Sequence, residues 1–193
     1  MPATSKKRST SRRSRSTKSG STGRRTSRSG TDAIALLKQD HQKVRGLLKR
    51  FESSPSEELL DQIETELKIH TQIEEEIFYP AYRDAVEGND EQEKLYYEAL
   101  EEHHVVDLVL PEIKSTAESS EEFEAKGKVL KDLVEHHAEE EEKNMFPKAR
   151  KAMGVAELRN LGMRLKDRKQ ELMEDTGPMS TFQRMLRPRK RAA

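Results

Sequence analysis

The sequence contains two copies of a short motif in which a glutamate follows a histidine four residues later. The first copy, HTQIEEEIFYP, occupies residues 70–80, and the second, HAEEEEKNMFP, occupies residues 137–147. In a helix, positions i and i+4 lie on one side with a rise of about 6 Å between them. Imidazole nitrogen and carboxylate oxygen together suit iron, manganese or zinc. Each copy therefore predicts half of a metal site, supplied by His70 with Glu74 and by His137 with Glu141.

The second copy allows two registers, because the sequence EHH at 135–137 offers two histidines. His136 would pair with Glu140, and His137 would pair with Glu141. Counting back from the closing proline favours the second pair. His137 and Glu141 lie ten and six residues before their proline, as His70 and Glu74 do in the first copy.

Four segments carry apolar residues at steps of three and four, which predicts four amphipathic helices. Each apolar stripe also contains one histidine, and the first and third stripes contribute His41 and His103. Matching DHQKV to EHHVV favours His103 over its neighbour His104. Asp107, four residues after His103, is either a further ligand or an exposed helix charge, and the second interpretation is preferred.

A carboxylate on a core-facing stripe is costly unless it is paired or binds a metal. Taken singly, each of these residues is better interpreted as a hydrogen-bonded core histidine or a solvated charge, and the glutamate runs at 74–76 and 139–142 read mostly as solvated faces. Four histidine-bearing stripes and two His-x-x-x-Glu pairs together favour a two-metal site in a bundle core. The predicted ligands are His41, His70, Glu74, His103, His137 and Glu141.

Four long helices with short connections predict an all-α protein with an up-down-up-down four-helix bundle. A shorter fifth helix follows Gly154, and basic tails flank the helical region. The tails and helices divide the chain into a disordered basic Ser/Arg-rich tail at 1–30, the bundle at 31–152, a C-terminal helix at 153–176 and a basic tail at 177–193.

The formal net charge of zero over 193 residues hides a strong separation of charge. Residues 1–30 hold ten Lys or Arg and residues 182–193 hold five, with no acid in either segment. The middle of the chain carries all 36 acids against 21 basic residues, and is therefore strongly negative.

The absence of cysteine excludes disulfides and zinc–thiolate sites. No apolar run has membrane-spanning length, so we expect no membrane partner and a cytoplasmic protein.

Four segments of the chain resemble the hemerythrin-like, or HHE cation-binding, domain: DHQKVRGLL, ELKIHTQIEEEIFYPA, EEHHVVDLVL and VEHHAEEEEKNMFPKAR, within about residues 32–152. The resemblance implies a four-helix bundle with a non-haem di-iron centre. Glu74 and Glu141 would bridge the irons, and the terminal ligands would be His41, His70, His103 and His137. Manganese or zinc would accept the same groups.

The chain departs from the pattern of the oxygen-carrying hemerythrins, which use five histidines, two of them one turn apart on the third helix. The second of those positions falls on Asp107 here. This departure favours peroxide reduction, sensing of oxygen or nitric oxide, or iron handling over simple oxygen carriage. Sensor, enzyme and iron store all remain open.

The basic tail supports a different class of function. Ten positive charges in residues 1–30 would bind nucleic-acid phosphates, and the absence of aromatic residues there argues against base readout. The alternative prediction is therefore a protein that associates with DNA through residues 1–30, with the bundle as a structural or protective module. A plain helical scaffold is the third possibility.

Overall fold

The computed structural model describes residues 31–176, and the tails expected at 1–30 and 177–193 lie outside the described residues. Residues 31–176 form helices and no strand. The helices are α1 (Ala33–Ser53), α2 (Glu57–Ile73), α3 (Tyr79–Ala85), α4 (Asp90–Lys114), α5 (Glu121–Glu140) and α6 (Phe146–Thr176). Two five-residue π-helical turns, Glu74–Phe78 and Glu141–Met145, join α2 to α3 and α5 to α6.

Helices α1, α2, α4 and α5 form the four-helix bundle that the apolar stripes predict. Helix α1 packs against α2 and α5, and α4 packs against the same two helices. A capping residue directly precedes each bundle helix. Its side-chain oxygen accepts a hydrogen bond from the backbone N–H three residues later, which satisfies one of the free N–H groups of the first turn. These capping residues are Asp32, Ser56, Asn89 and Ser120.

The bundle has two apolar cores separated by a layer of polar side chains. One core contains Leu37, Ile73 and Ala99, and the other contains Leu67 and Val106. The predicted histidines lie on each helix between members of the two cores. Burial of both cores therefore holds the polar layer away from water on two sides.

The two π-helical turns occur at the same place in both motif copies, each beginning with the motif glutamate. A proline follows each turn, Pro80 in the first copy and Pro147 in the second. Proline has no N–H and its ring crowds the carbonyl four residues earlier, so a continuous α-helical ladder is broken there. The chain instead makes bonds to the fifth preceding residue, from Tyr79 N–H to the Glu74 carbonyl and from Phe146 N–H to the Glu141 carbonyl.

The fifth helix predicted after Gly154 is the second arm of α6. The helix kinks at Gly154, where φ is 74°, a conformation that favours glycine. The second arm then returns along α1 and α2 and covers the first core with Leu158, Leu161 and Leu165. Within residues 31–176, no helix has a stretch that is both long and apolar enough to cross a membrane.

Candidate metal centre

The structure brings all six predicted ligands together in the polar layer of the bundle. Each of them is at most 6% exposed. Their positions follow from the stripes, because His41 and His103 lie on α1 and α4, and the two motif copies lie on the helices that alternate with them. The ring centroids of His41 and His70 are 4.8 Å apart, and those of His103 and His137 are 4.6 Å apart. The four imidazoles thus form two close pairs.

Each buried glutamate lies between the two imidazole pairs. Oε2 of Glu74 is 3.2 Å from Nε2 of His70 and 3.4 Å from Nε2 of His103. Oε2 of Glu141 is 3.2 Å from Nε2 of His41 and 3.7 Å from Nε2 of His137. Both carboxylates therefore reach from one pair to the other, which is the geometry of a bridging carboxylate.

Six polar atoms at the centre of the layer lack hydrogen-bond partners among the described residues. All four carboxylate oxygens of Glu74 and Glu141, and Nε2 of both His41 and His70, are buried without a partner among the described residues. Such atoms are costly to bury unless a cation binds them. Ligand atoms of His41, His70, Glu74 and Glu141 lie within 4.8 Å of one another, as do those of Glu74, His103 and His137. The two groups share Glu74, and their donors fit two adjacent metal ions.

The pKa shifts in the layer show that it is costly to bury two acids side by side. Burial, together with the charge of Glu141, raises the pKa of Glu74 well above its usual value. Burial acts in the same direction on Glu141, but His137 and His41 outweigh it and lower its pKa. Burial lowers the pKa of His70 to about 4, so its imidazole is neutral at pH 7 and keeps a free lone pair. The pKa values of the two acids thus shift in opposite directions, and a cation between them would offset the repulsion that separates them.

A second ring of carboxylates orients three of the imidazoles. Nδ1 of His41 donates to Glu142 (3.0 Å), Nδ1 of His103 to Glu75 (2.8 Å) and Nδ1 of His137 to Glu102 (2.8 Å). An ionised carboxylate can only accept, so each Nδ1 carries a hydrogen, and in the neutral ring Nε2 then presents its lone pair to the centre.

Sequence reasoning missed these outer carboxylates, although the repeat contained a signal for them. Glu75 and Glu142 each come directly after a motif glutamate, and Glu102 comes directly before a predicted ligand histidine. The prediction assigned the glutamate runs mostly to a solvated face. Glu75 and Glu142 lie at the rim, with side chains 45% and 24% exposed, and still reach a buried ring on another helix.

The fourth imidazole, that of His70, has a different outer partner. Its Nδ1 lies 3.8 Å from Oδ2 of Asp40, just beyond hydrogen-bond distance. Lys169 of α6 donates to the other oxygen of Asp40. Burial would raise the pKa of Asp40, but His70 and Lys169 outweigh it and lower the pKa, so the carboxylate stays charged. Helix α6 thereby contacts the centre through one lysine.

Replacement of Lys169 should weaken metal binding without removing a ligand. In the variant Lys169→Met, Asp40 loses the cation that holds it against His70, and we expect metal affinity to fall roughly tenfold, as for other outer partners of metal-binding histidines. Affinity is measured by competition with a chelator. Lys169→Arg should restore it, and Lys166→Met, at an exposed lysine of the same helix, should leave it unchanged. Equal losses in both methionine variants would contradict a positioning role.

The remaining candidate side chains lie away from the centre. His104, His136 and Asp107 are exposed, which agrees with the preference for His103 and His137 and with the interpretation of Asp107 as a surface charge. A residue that the sequence did not suggest takes a place at the centre instead. The hydroxyl of Tyr79, a fully buried residue, lies 3.3 Å from Nε2 of His103. Burial and the charges of Glu141 and Glu74 raise its pKa, so it keeps its proton.

An apolar cavity of about 20 Å³ adjoins the four imidazoles. Val44, Leu67, Val106, Val134 and Ala138 contribute its apolar walls. A volume of this size holds about one water-sized molecule. The cavity is therefore suited to a small uncharged molecule next to the histidines.

The fold and the layer define a class: a four-helix bundle protein with a buried cluster of histidines and glutamates suited to cations. Residues 32–149 match the family described as Hemerythrin HHE cation binding domain. The chain belongs to this family, as the resemblance in its motifs predicted.

Individual relatives agree with this assignment. The crystal structure of a hemerythrin HHE cation binding domain-containing protein from Mycobacterium kansasii is 30% identical, with a TM-score of 0.64, over 79% of this chain and 98% of that one. An uncharacterized protein of Mycobacterium tuberculosis is 30% identical over 73% of this chain and 87% of its own length. A protein named DNA nickase from Nostoc sp. is 28% identical over 150 residues, which make up 76% of this chain but only 41% of that longer protein.

Proposed function

We propose that this protein is a non-haem di-iron protein that binds, senses or reduces a small oxidant such as oxygen, peroxide or nitric oxide. The ligands of the irons would be His41, His70, Glu74, His103, His137 and Glu141. The observation that carries the proposal is the pair of buried glutamates whose four oxygens have no hydrogen-bond partner among residues 31–176 and face four imidazoles. Nitrogen and oxygen donors of this kind are a common set for iron in proteins.

The bound metal would supply redox chemistry and open positions for a small ligand. The protein's own residues would do the rest. Glu142, Glu75 and Glu102 hold three imidazoles with Nε2 turned inward, so the donors are in place before any metal arrives. The apolar walls of the cavity favour an uncharged ligand over water, and the hydroxyl of Tyr79 keeps a proton available beside His103.

The position of Asp107 favours reactivity over simple oxygen carriage. On the third helix, where oxygen-carrying hemerythrins have a further histidine, Asp107 lies exposed and does not join the centre. Four histidines and two carboxylates leave positions for external ligands on two ions. We therefore favour reaction with, or sensing of, a small oxidant as the function.

Anaerobic reconstitution with iron(II) tests this proposal. We expect two irons per chain by metal analysis, followed by oxo-bridge absorption in the near ultraviolet when oxygen is admitted. Separate additions of nitric oxide and peroxide then distinguish binding from turnover. The double variant His70→Ala, His137→Ala should bind far less iron, and the exposed-site variant His136→Ala should bind as the parent does. A protein that stays free of iron and keeps its melting temperature would contradict the proposal.

Association with nucleic acid is a second candidate function. Two observations favour it: ten basic and no acidic residues in the segment 1–30, and the similarity of 76% of the chain to part of a protein named DNA nickase. Such a segment would bind phosphates without sequence preference, and the binding would weaken steeply with salt. The full-length protein should retard duplex DNA in a gel at low salt, and a variant that lacks residues 1–30 should not. Equal retardation by both proteins would contradict a role for that segment.

A further inference from the structure

A second cavity reaches the buried centre from the outer side of the bundle. Its volume is about 20 Å³, and it lies between α4, the end of α5 and the turn that begins at Glu141. Three carboxylate side chains line it at or near the surface: Glu98, Glu102 and Glu140. The exposed fraction of the side chain falls from 49% for Glu98 through 27% for Glu102 to 2% for Glu141, which lies at the inner end of the cavity. The cavity thus extends from the partly exposed carboxylates to the buried side chain of Glu141.

The inner end of this cavity carries an unsatisfied carboxylate. Both oxygens of Glu141 are buried and lack a hydrogen-bond partner among the described residues. Both oxygens of Glu102 contact histidines, whereas Glu98 and Glu140 each make a polar contact through one oxygen. Glu98 pairs with the exposed Lys94 at 3.1 Å, and Glu140 accepts from the amide of Asn144 at 2.6 Å.

The two cavities beside the centre differ in chemistry. The apolar cavity is lined by the four imidazoles, Thr71 and five apolar side chains but by no carboxylate, so its lining offers no negative charge to offset that of an entering divalent cation. The acidic cavity offers carboxylate oxygens at each stage from the surface to Glu141. A line of negative charge that narrows into a protein interior also concentrates cations at its mouth.

We propose that the acidic cavity formed by Glu98, Glu102 and Glu140 is a transient binding site for divalent cations and the route by which they reach Glu141. The apolar cavity then serves the small uncharged ligand, so metal and ligand enter from different sides. This inference rests on the proposed metal centre. It assigns to Glu98 and Glu140 a role in the rate of metal exchange and none in the final coordination.

Loading kinetics test the route. The metal-free full-length protein is mixed with Co²⁺, a divalent probe that the same donors accept, and uptake is followed by its visible absorption in a stopped-flow instrument. Glu98→Gln and Glu140→Gln should each slow uptake about threefold at low ionic strength, and the double variant roughly tenfold, since steering of this kind changes rates by ten- to a thousandfold in total. The differences should shrink as salt screens the charges.

Two further readouts separate a route from a structural effect. Residues that line an entry route change the barrier for binding and for release by the same amount. Release of Co²⁺ to a chelator should therefore slow by the same factor as uptake, and the amount of Co²⁺ bound at equilibrium should stay unchanged. Glu101→Gln removes the same charge from an exposed position of α4 outside the cavity, and should load as the parent protein does. Uptake at the parental rate in the double variant, an equal effect of Glu101→Gln, or faster release would overturn the route. A parent protein that binds no Co²⁺ would overturn the metal centre itself.

Discussion

Addition of iron(II) without oxygen, or of zinc, to the metal-free protein should raise its melting temperature by roughly 10 °C. Metal-free protein must bury two carboxylates whose oxygens have no hydrogen-bond partner among residues 31–176, and a cation removes that cost. A ligand that binds only the folded state, at about a thousand times its Kd, adds about 4 kcal/mol to the free energy of unfolding. In a chain of this size each kcal/mol shifts the melting temperature by roughly 2–4 °C. Thermal unfolding followed by circular dichroism measures the shift, and a chelator should reverse it.

The double variant Glu74→Gln, Glu141→Gln is the control for this stabilisation. Glutamine keeps the size of glutamate but carries no charge, so the metal-free variant should be at least as stable as the metal-free parent protein. It should show little response to metal, because the bridging oxygens are gone. A response as large as that of the parent would mean that the metal binds elsewhere, for instance to exposed acids, and would contradict the buried centre.

Substitution of Gly162 by alanine should destabilise the protein by roughly 2 kcal/mol, although alanine is the better helix former. A Cβ atom at this position of α6 would lie 2.5 Å from the carbonyl oxygen of Thr31 and 2.8 Å from the backbone nitrogen of Ala33. Both neighbours belong to the backbone at the start of α1, so they cannot rotate away. Chemical denaturation of the metal-free protein, with a constant slope against denaturant, gives the change in the free energy of unfolding.

Gly46 provides the matched comparison within the same protein. It lies in the interior of α1 and is exposed, and a Cβ atom there would have no other group within 4 Å. Gly46→Ala should therefore stabilise the protein by about 0.5–1 kcal/mol, which is the helix preference of alanine over glycine. Opposite signs at the two glycines would confirm the close approach of α6 to α1. Stabilisation by both substitutions would mean that α6 does not pack there.

The prediction from sequence was most successful for residues whose own helix carries the signal. His41, His70, His103 and His137 each lie on an apolar stripe, and the stripe alone predicted that all four are buried. The distance to the following proline selected Glu141 over Glu140, and the structure buries the first and leaves the second partly exposed. Hydrophobic periodicity reports which side of a helix is buried, and this information is local.

Contacts between distant residues were beyond this kind of reasoning. Lys169 reaches Asp40 across 129 positions of sequence, and Glu142 reaches His41 across 101. Which carboxylate meets which ring depends on the rotation and axial offset of one helix against another, and the packing of side chains in the two cores sets both.

The amino-acid sequence by itself determined the number of bundle helices, the faces they bury and the six side chains that meet in the polar layer, because spacing along one helix decides all of these. The tertiary structure alone decided how that layer is completed: which acids hold the outer ring nitrogens, the place of Tyr79, the contact of α6 with Asp40 and the separation of an apolar from an acidic cavity. These features are spaces and contacts between helices, and they exist only when the helices pack at a particular rotation and distance.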